Sequence, residues 1–137
     1  MSSEFLNRIK SLSRVNPLAK HAMEFAALID DVVYVNDSIS INVEKTWNSL
    51  NSIDGNVILI IGGLDSKNDY SLLEELIFKK VKIIIALGKD NTKLLKAFLR
   101  TGKEITSAES VQDSVEIAKK KAIAGDLVLF SPACPSY

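Results

Sequence analysis

Asn56-Val57-Ile58-Leu59-Ile60-Ile61 runs directly into Gly62-Gly63. Five consecutive aliphatic residues, without polar alternation, form a strand that must be covered on both faces. Two further runs share this character: Val81 to Leu87, stopped by Gly88, and Asp126 to Phe130. Helical spacing separates them. Asn42 to Ile53 places Val43, Trp47 and Leu50 on one face, and Trp47 is most simply a core residue. Tyr70 to Lys79 reads as a helix with Leu72, Leu73, Leu76 and Ile77 inward. Asn91 to Leu99 is helical, Glu104 to Thr106 a short strand, and Val111 to Ala124 a helix ended by Gly125.

Apolar strands alternating with helices describe a parallel sheet with right-handed crossovers. Upstream, Met23 to Ile29 and Val32 to Asn36 flank Asp30-Asp31, which predicts a tight antiparallel hairpin at one edge. The expected fold is α/β and Rossmann-like: a mostly parallel sheet of about five or six strands, helices on both faces, and an antiparallel edge strand. Phe5, Leu6, Ile9 and Leu12 recur at helical spacing before Asn16-Pro17, so residues 1–20 read as an N-terminal helix and lead-in. Residues 21–137 form the domain proper, with no internal repeat or linker.

Composition narrows the function. The 137 residues are 47% hydrophobic and 25% charged, with 17 basic and 17 acidic side chains. Zero net charge argues against a nucleic-acid protein, although it leaves room for one basic pocket. A single Cys134 excludes an internal disulfide, and one histidine leaves no zinc cluster. No apolar stretch approaches the roughly 20 residues of a membrane span. With no basic-then-apolar leader at Met1, the expected compartment is the cytoplasm, with no nucleic acid and no membrane as partner.

In open α/β sheets ligands lie beyond the carboxyl ends of the strands. Those ends are Asn36-Asp37-Ser38, Gly62-Gly63-Leu64-Asp65, Leu87-Gly88-Lys89-Asp90 and Ser131-Pro132-Ala133-Cys134. Each is small and polar, as any turn into a helix can be. There is no G-x-x-x-x-G-K-[ST] loop and no G-x-G-x-x-G. No nucleophile elbow is present, and His21 lies outside the sheet region, so a catalytic triad is not expected. Cys134 reads as a small packed residue.

In order, the rim segments resemble the C-terminal domain of the Mur ligases, nearest to the D-glutamate-adding branch. The matching stretches are His21-Ala22-Met23-Glu24, Asn36-Asp37-Ser38-Ile39-Ser40-Ile41-Asn42, Gly62-Gly63-Leu64-Asp65-Ser66 and Ser131-Pro132-Ala133-Cys134-Pro135-Ser136. The likeness runs from about His21 to Tyr137. It implies part of a three-domain, ATP-dependent amide ligase of peptidoglycan synthesis. A central domain would hold the phosphate loop and Mg2+, and an N-terminal one the UDP-sugar. The C-terminal domain would bind D-glutamate and close over the nucleotide. By resemblance, Asp37 and Asn36 contact nucleotide, and Ser136 and Lys67 contact the amino acid. Ser38, Asn42, Gly62, Gly63 and Ser131 complete the rim. No residue is assigned a catalytic or metal-ligating role, and no cofactor is expected on this chain alone. Asp37 reads equally as a helix cap, whereas for Ser136 the reading as part of a tail leads.

The departures bear on activity. Where the family has arginine, lysine, threonine and lysine, this chain has Ala22, Ile39, Ile41 and Ser66, with Lys67 one place displaced. Each lost charge-assisted hydrogen bond is worth roughly 1.5–3 kcal/mol, so anion binding should be weak. The sequence therefore predicts an isolated ligase domain, inactive alone, or a degenerate non-catalytic binding or scaffolding module. An unrelated Rossmann-like nucleotide-binding protein is a third reading. It also predicts that Asp37, Ser38, Gly62, Gly63 and Ser131 converge at one sheet edge, with Ile39 and Ile41 nearby.

Overall fold

A computed structural model describes residues 25–38, 40–62 and 69–134. The N-terminal helix expected around Phe5 to Leu12 lies outside these residues. Six strands form one sheet: β1 (Phe25–Ile29), β2 (Val32–Asn36), β3 (Val57–Gly62), β4 (Val81–Leu87), β5 (Glu104–Ala108) and β6 (Leu127–Phe130). Their order is β1-β2-β6-β3-β4-β5. β1 is antiparallel to β2, and every other pairing is parallel. The expected edge hairpin is present. Asp30 and Asp31 both have positive φ, 51° and 62°, the backbone of a two-residue turn matched to strand twist. Asn56, expected to begin the central strand, instead takes φ 66° just before it, which asparagine tolerates well.

Four α-helices connect the strands: α1 (Val43–Asn51), α2 (Glu74–Lys80), α3 (Thr92–Phe98) and α4 (Val111–Lys121). They divide unequally. The core containing Leu59, Ile61, Ile84 and Leu129 packs against α1, α2 and α3 through Leu50, Ile77, Leu94 and Phe98, with Leu73 from the turn before α2. The opposite face, with Ile58, Ile60, Ile85 and Phe130, packs against α4 through Val111, Val115 and Ala118. Ile58 to Ile61 are fully buried, and each such side chain contributes roughly 1.5–3 kcal/mol relative to an exposed one. Trp47 is half-buried and packs against the first core.

One expected inward residue points out. Tyr70–Leu73 is a 3-10 turn leading into α2. At three residues per turn, Tyr70 and Leu73 share the buried face and Leu72 is left 47% exposed. Tyr70 donates its hydroxyl hydrogen to the Gly62 carbonyl at 3.1 Å and meets Phe98 edge-on at 5.8 Å. At the base of the sheet, Lys80 Nζ donates to the carbonyls of Leu50, Asn51 and Ile53 at 2.9, 3.0 and 2.5 Å. A cation there satisfies the orphan carbonyls at the end of α1 and opposes its negative dipole end.

Candidate functional site

Parallel strands bring their carboxyl ends together, and the hydrogen bonds show how closely. The Asp37 N–H donates to the Phe130 carbonyl at 2.8 Å, and the Ser131 N–H to the Ile60 carbonyl at 3.0 Å. The Gly62 N–H donates to the Pro132 carbonyl at 2.9 Å, and the Ala133 N–H to the Ser40 carbonyl at 2.9 Å. The segments after β2, β3 and β6 are thus tied into one rim. Ala133 makes its bond from φ 60°, a backbone normally costing a side-chain-bearing residue about 1–2 kcal/mol.

Asp37 is the centre of this rim and is completely buried. Its Oδ2 accepts from Ser40 Oγ at 2.6 Å and from Ser131 Oγ at 2.8 Å. Ser131 also lies 2.9 Å from Thr46 Oγ1. One serine hydrogen cannot serve both, so Ser131 donates to the carboxylate and Thr46 donates to Ser131. Burial pushes the Asp37 carboxyl above its ordinary pKa, and the hydroxyls of Ser40, Ser49 and Ser131 partly oppose that rise. The Ser49 hydroxyl is near enough to favour the charge but makes no hydrogen bond of proper geometry. No salt bridge reaches Asp37 among the described residues.

The other predicted residues divide between roles. Asn36 is fully buried at the end of β2, and neither its Oδ1 nor its Nδ2 has a hydrogen-bond partner among the described residues. Asn42 caps α1, accepting from the Lys45 N–H at 2.9 Å. Asp37 is therefore not the cap of α1. Ser38 is half-exposed beside Asp37, and Ile41 is 47% exposed just before the cap. Gly62 ends β3 with its N–H and carbonyl both engaged. His21, Ala22, Ile39, Gly63, Ser66, Lys67 and Ser136 lie outside the described residues. Cys134 is buried, as a small packed residue would be.

Sequence reasoning missed Ser40 and Thr46, which complete the hydroxyl network. Their signal was available: Thr46 is four residues after the cap Asn42, hence one turn along α1. It also missed Asn91, whose Nδ2 donates to the Ala86 and Gly88 carbonyls at 3.1 Å each while its buried Oδ1 has no partner among the described residues.

The chemistry available is limited. Among the described residues no three His, Cys, Asp or Glu side chains are grouped to hold a metal.

Comparison with known proteins places these observations. No protein-family model matches the sequence. A solved domain from a Haemophilus ducreyi protein assigned as a UDP-N-acetylmuramate:L-alanyl-gamma-D-glutamyl-meso-diaminopimelate ligase has the same fold. Its TM-score is 0.59 at 10% identity, covering 78% of this chain and 84% of that one. At that identity the likeness is one of fold alone. In sequence the chain is similar to UDP-N-acetylmuramoylalanine–D-glutamate ligases. The enzyme of Cytophaga hutchinsonii is 45% identical over 119 residues, covering 87% of this chain and 26% of that enzyme. That of Porphyromonas gingivalis is 45% identical over 117 residues, 85% of this chain and 26% of the enzyme. The chain spans about a quarter of the length of these relatives.

Proposed function

We propose that this chain is the C-terminal domain of a UDP-N-acetylmuramoylalanine–D-glutamate ligase and is inactive by itself. Identity of 45% across 87% of the chain carries the reading. Such a domain would offer its rim to D-glutamate and to the nucleotide of a neighbouring ATP-binding domain, which with the UDP-sugar domain would be its partner in the cytoplasm. Among the described residues no helix is long and apolar enough to cross a membrane. Asp37 and Asn36 are the proposed nucleotide-side residues, and Lys67 and Ser136 the amino-acid-side ones. Their task would be positioning, since amide ligation through an acyl phosphate depends on alignment and on cations held near the phosphates.

A second reading, a degenerate module kept for binding or scaffolding, is favoured by one observation. The Asp37 oxygen that faces partners is already occupied by two hydroxyls, and the cations that would draw phosphate are replaced. Calorimetric titration with ADP, ATP and D-glutamate separates the two. The expected result for the chain alone is binding weaker than millimolar, an affinity below about 4 kcal/mol. Ile39→Lys with Ile41→Thr should strengthen it. Micromolar ADP binding by the unaltered chain would overturn the inactive-alone reading, as would ATP-dependent addition of D-glutamate by the pure protein.

A further inference from the structure

The two faces of the sheet are covered unequally. Three helices lie on one face, and among the described residues α4 alone lies on the other, where it packs closest to β4 and β5. Strands are about 4.8 Å apart, so β2, three places along the sheet from β4, stands about 14 Å from it. A helix with its side chains is about 10–12 Å across, so α4 cannot cover β2. Yet Val32 and Tyr34, on the α4 side of β2, are only 4% and 2% exposed, and Val128 of neighbouring β6 is fully buried with them. These residues need a second cover.

Few stretches of the chain can supply it. Residues 63–68 join β3 to the 3-10 turn, whose Tyr70 and Leu73 belong to the core on the other face. Residues 135–137 are too few. Residues 1–24 remain, and they enter the sheet at β1, the strand next to β2. Within them Phe5, Leu6, Ile9 and Leu12 share one stripe at helical spacing, with Arg8 and Lys10 on either side of it. Residues 13–24, at up to about 3.3 Å each, give a tether of about 40 Å, longer than the sheet is wide. Charge agrees. Residues 1–20 carry Arg8, Lys10, Arg14 and Lys20 against Glu4. On the sheet side, burial raises the Tyr34 hydroxyl pKa, and Asp30 and Glu116 are close enough to raise it further.

We propose that residues 5–12 dock as a helix on this half of the sheet, laying their apolar stripe over Val32, Tyr34 and Val128. The inference is independent of the ligase reading, because none of these residues belongs to the rim. Methyl nuclear magnetic resonance on the full chain tests it directly. Cross-peaks are expected from the Leu6 and Ile9 methyls to those of Val32 and Val128, and their absence overturns the proposal. So do cross-peaks found only between differently labelled copies in a mixed sample, which would seat a second copy there. Nitration of tyrosine by tetranitromethane gives an independent reading. In the parent chain Tyr34 and Tyr70 should both react slowly. Ile9→Asp removes an apolar contact worth about tenfold or more in the docking equilibrium, and should speed the reaction at Tyr34 by about tenfold while Tyr70 stays slow. An unchanged rate at Tyr34 overturns the proposal. An equal rise at Tyr70 overturns it as well, since uncovering one face would not open the other.

Discussion

Two carboxylates are buried beside the two ends of β6, and their partners could hardly differ more. Asp126, just before the strand, is 4% exposed and binds Lys82 Nζ at 2.5 Å while accepting the Ile123 N–H at 2.9 Å. Asp37, tied to Ser131 just after the strand, is fully buried, and among the described residues its side chain has hydroxyl partners only. A buried charge is tolerated when it is paired and hydrogen-bonded. The base of the sheet meets that condition in full, as a structural joint does. The rim does not, and it is the end where an open α/β sheet receives its ligands.

The same isosteric change at both positions gives the sharpest test of this contrast. Asp126→Asn should cost about 2–3 kcal/mol in urea unfolding, because Lys82 loses its counter-charge in a partly buried site. The value falls at or below the lower edge for buried pairs since Lys82 is 32% exposed on its side chain. A loss below about 0.5 kcal/mol would mean that the base pair behaves like a surface one.

Lys80→Met is the next largest. It keeps the aliphatic stem but removes one hydrogen bond from each of three carbonyls at the end of α1, and should cost about 1–2 kcal/mol. Greater loss of amide protection in α1 than in α4, read by hydrogen exchange, would localise the effect. At the rim, Thr46→Val removes one hydroxyl from the Ser131 network with little change of shape. It should cost about 1 kcal/mol by the same unfolding measurement. An effect as large as that of Asp126→Asn would erase the difference between the two ends.

Much of the sheet was legible because its strands are apolar throughout, a pattern that permits few arrangements. β3, β4 and β6 are parallel neighbours within the sheet, as their composition required. The acidic pair Asp30-Asp31 marked the hairpin for an equally local reason. Leu72 was misread because a 3-10 turn and an α-helix differ by a fraction of a residue per turn, which four residues cannot reveal. The unequal covering of the two faces was hidden as well, since handedness fixes a helix's side only once strand order is known. Asp37 stood out by its place at a strand end. Its partners did not, because Ser131 lies 94 residues away and hydroxyl networks have no period.

The smallest effect at low pH, and the most informative one, belongs to Asp37→Asn. Burial raises the Asp37 carboxyl pKa in the folded chain above its unfolded value, about 3.9. Between the two values the folded state holds a proton that the unfolded state has released, so stability falls as pH rises through that window. The contribution is fully present below the unfolded value and is lost as pH rises through the folded one. Asp69, Glu75, Asp90 and Glu104 are shifted downward and act with the opposite sign, contributing above the unfolded carboxyl pKa and failing as pH falls. The whole-chain profile mixes both trends, but the difference between the parent and Asp37→Asn isolates one group. Below about pH 4 both carry a neutral side chain, and their stabilities should agree within about 0.5 kcal/mol. With rising pH the parent alone acquires a buried charge that no cation among the described residues pairs, so the variant should become the more stable of the two. Urea unfolding of both proteins from about pH 3 to pH 7 gives the answer. A difference that stays flat, or one that moves in favour of the parent, would mean that the hydroxyls of Ser40 and Ser131 solvate the carboxylate as well as water does, and the rim would then be as complete as the base.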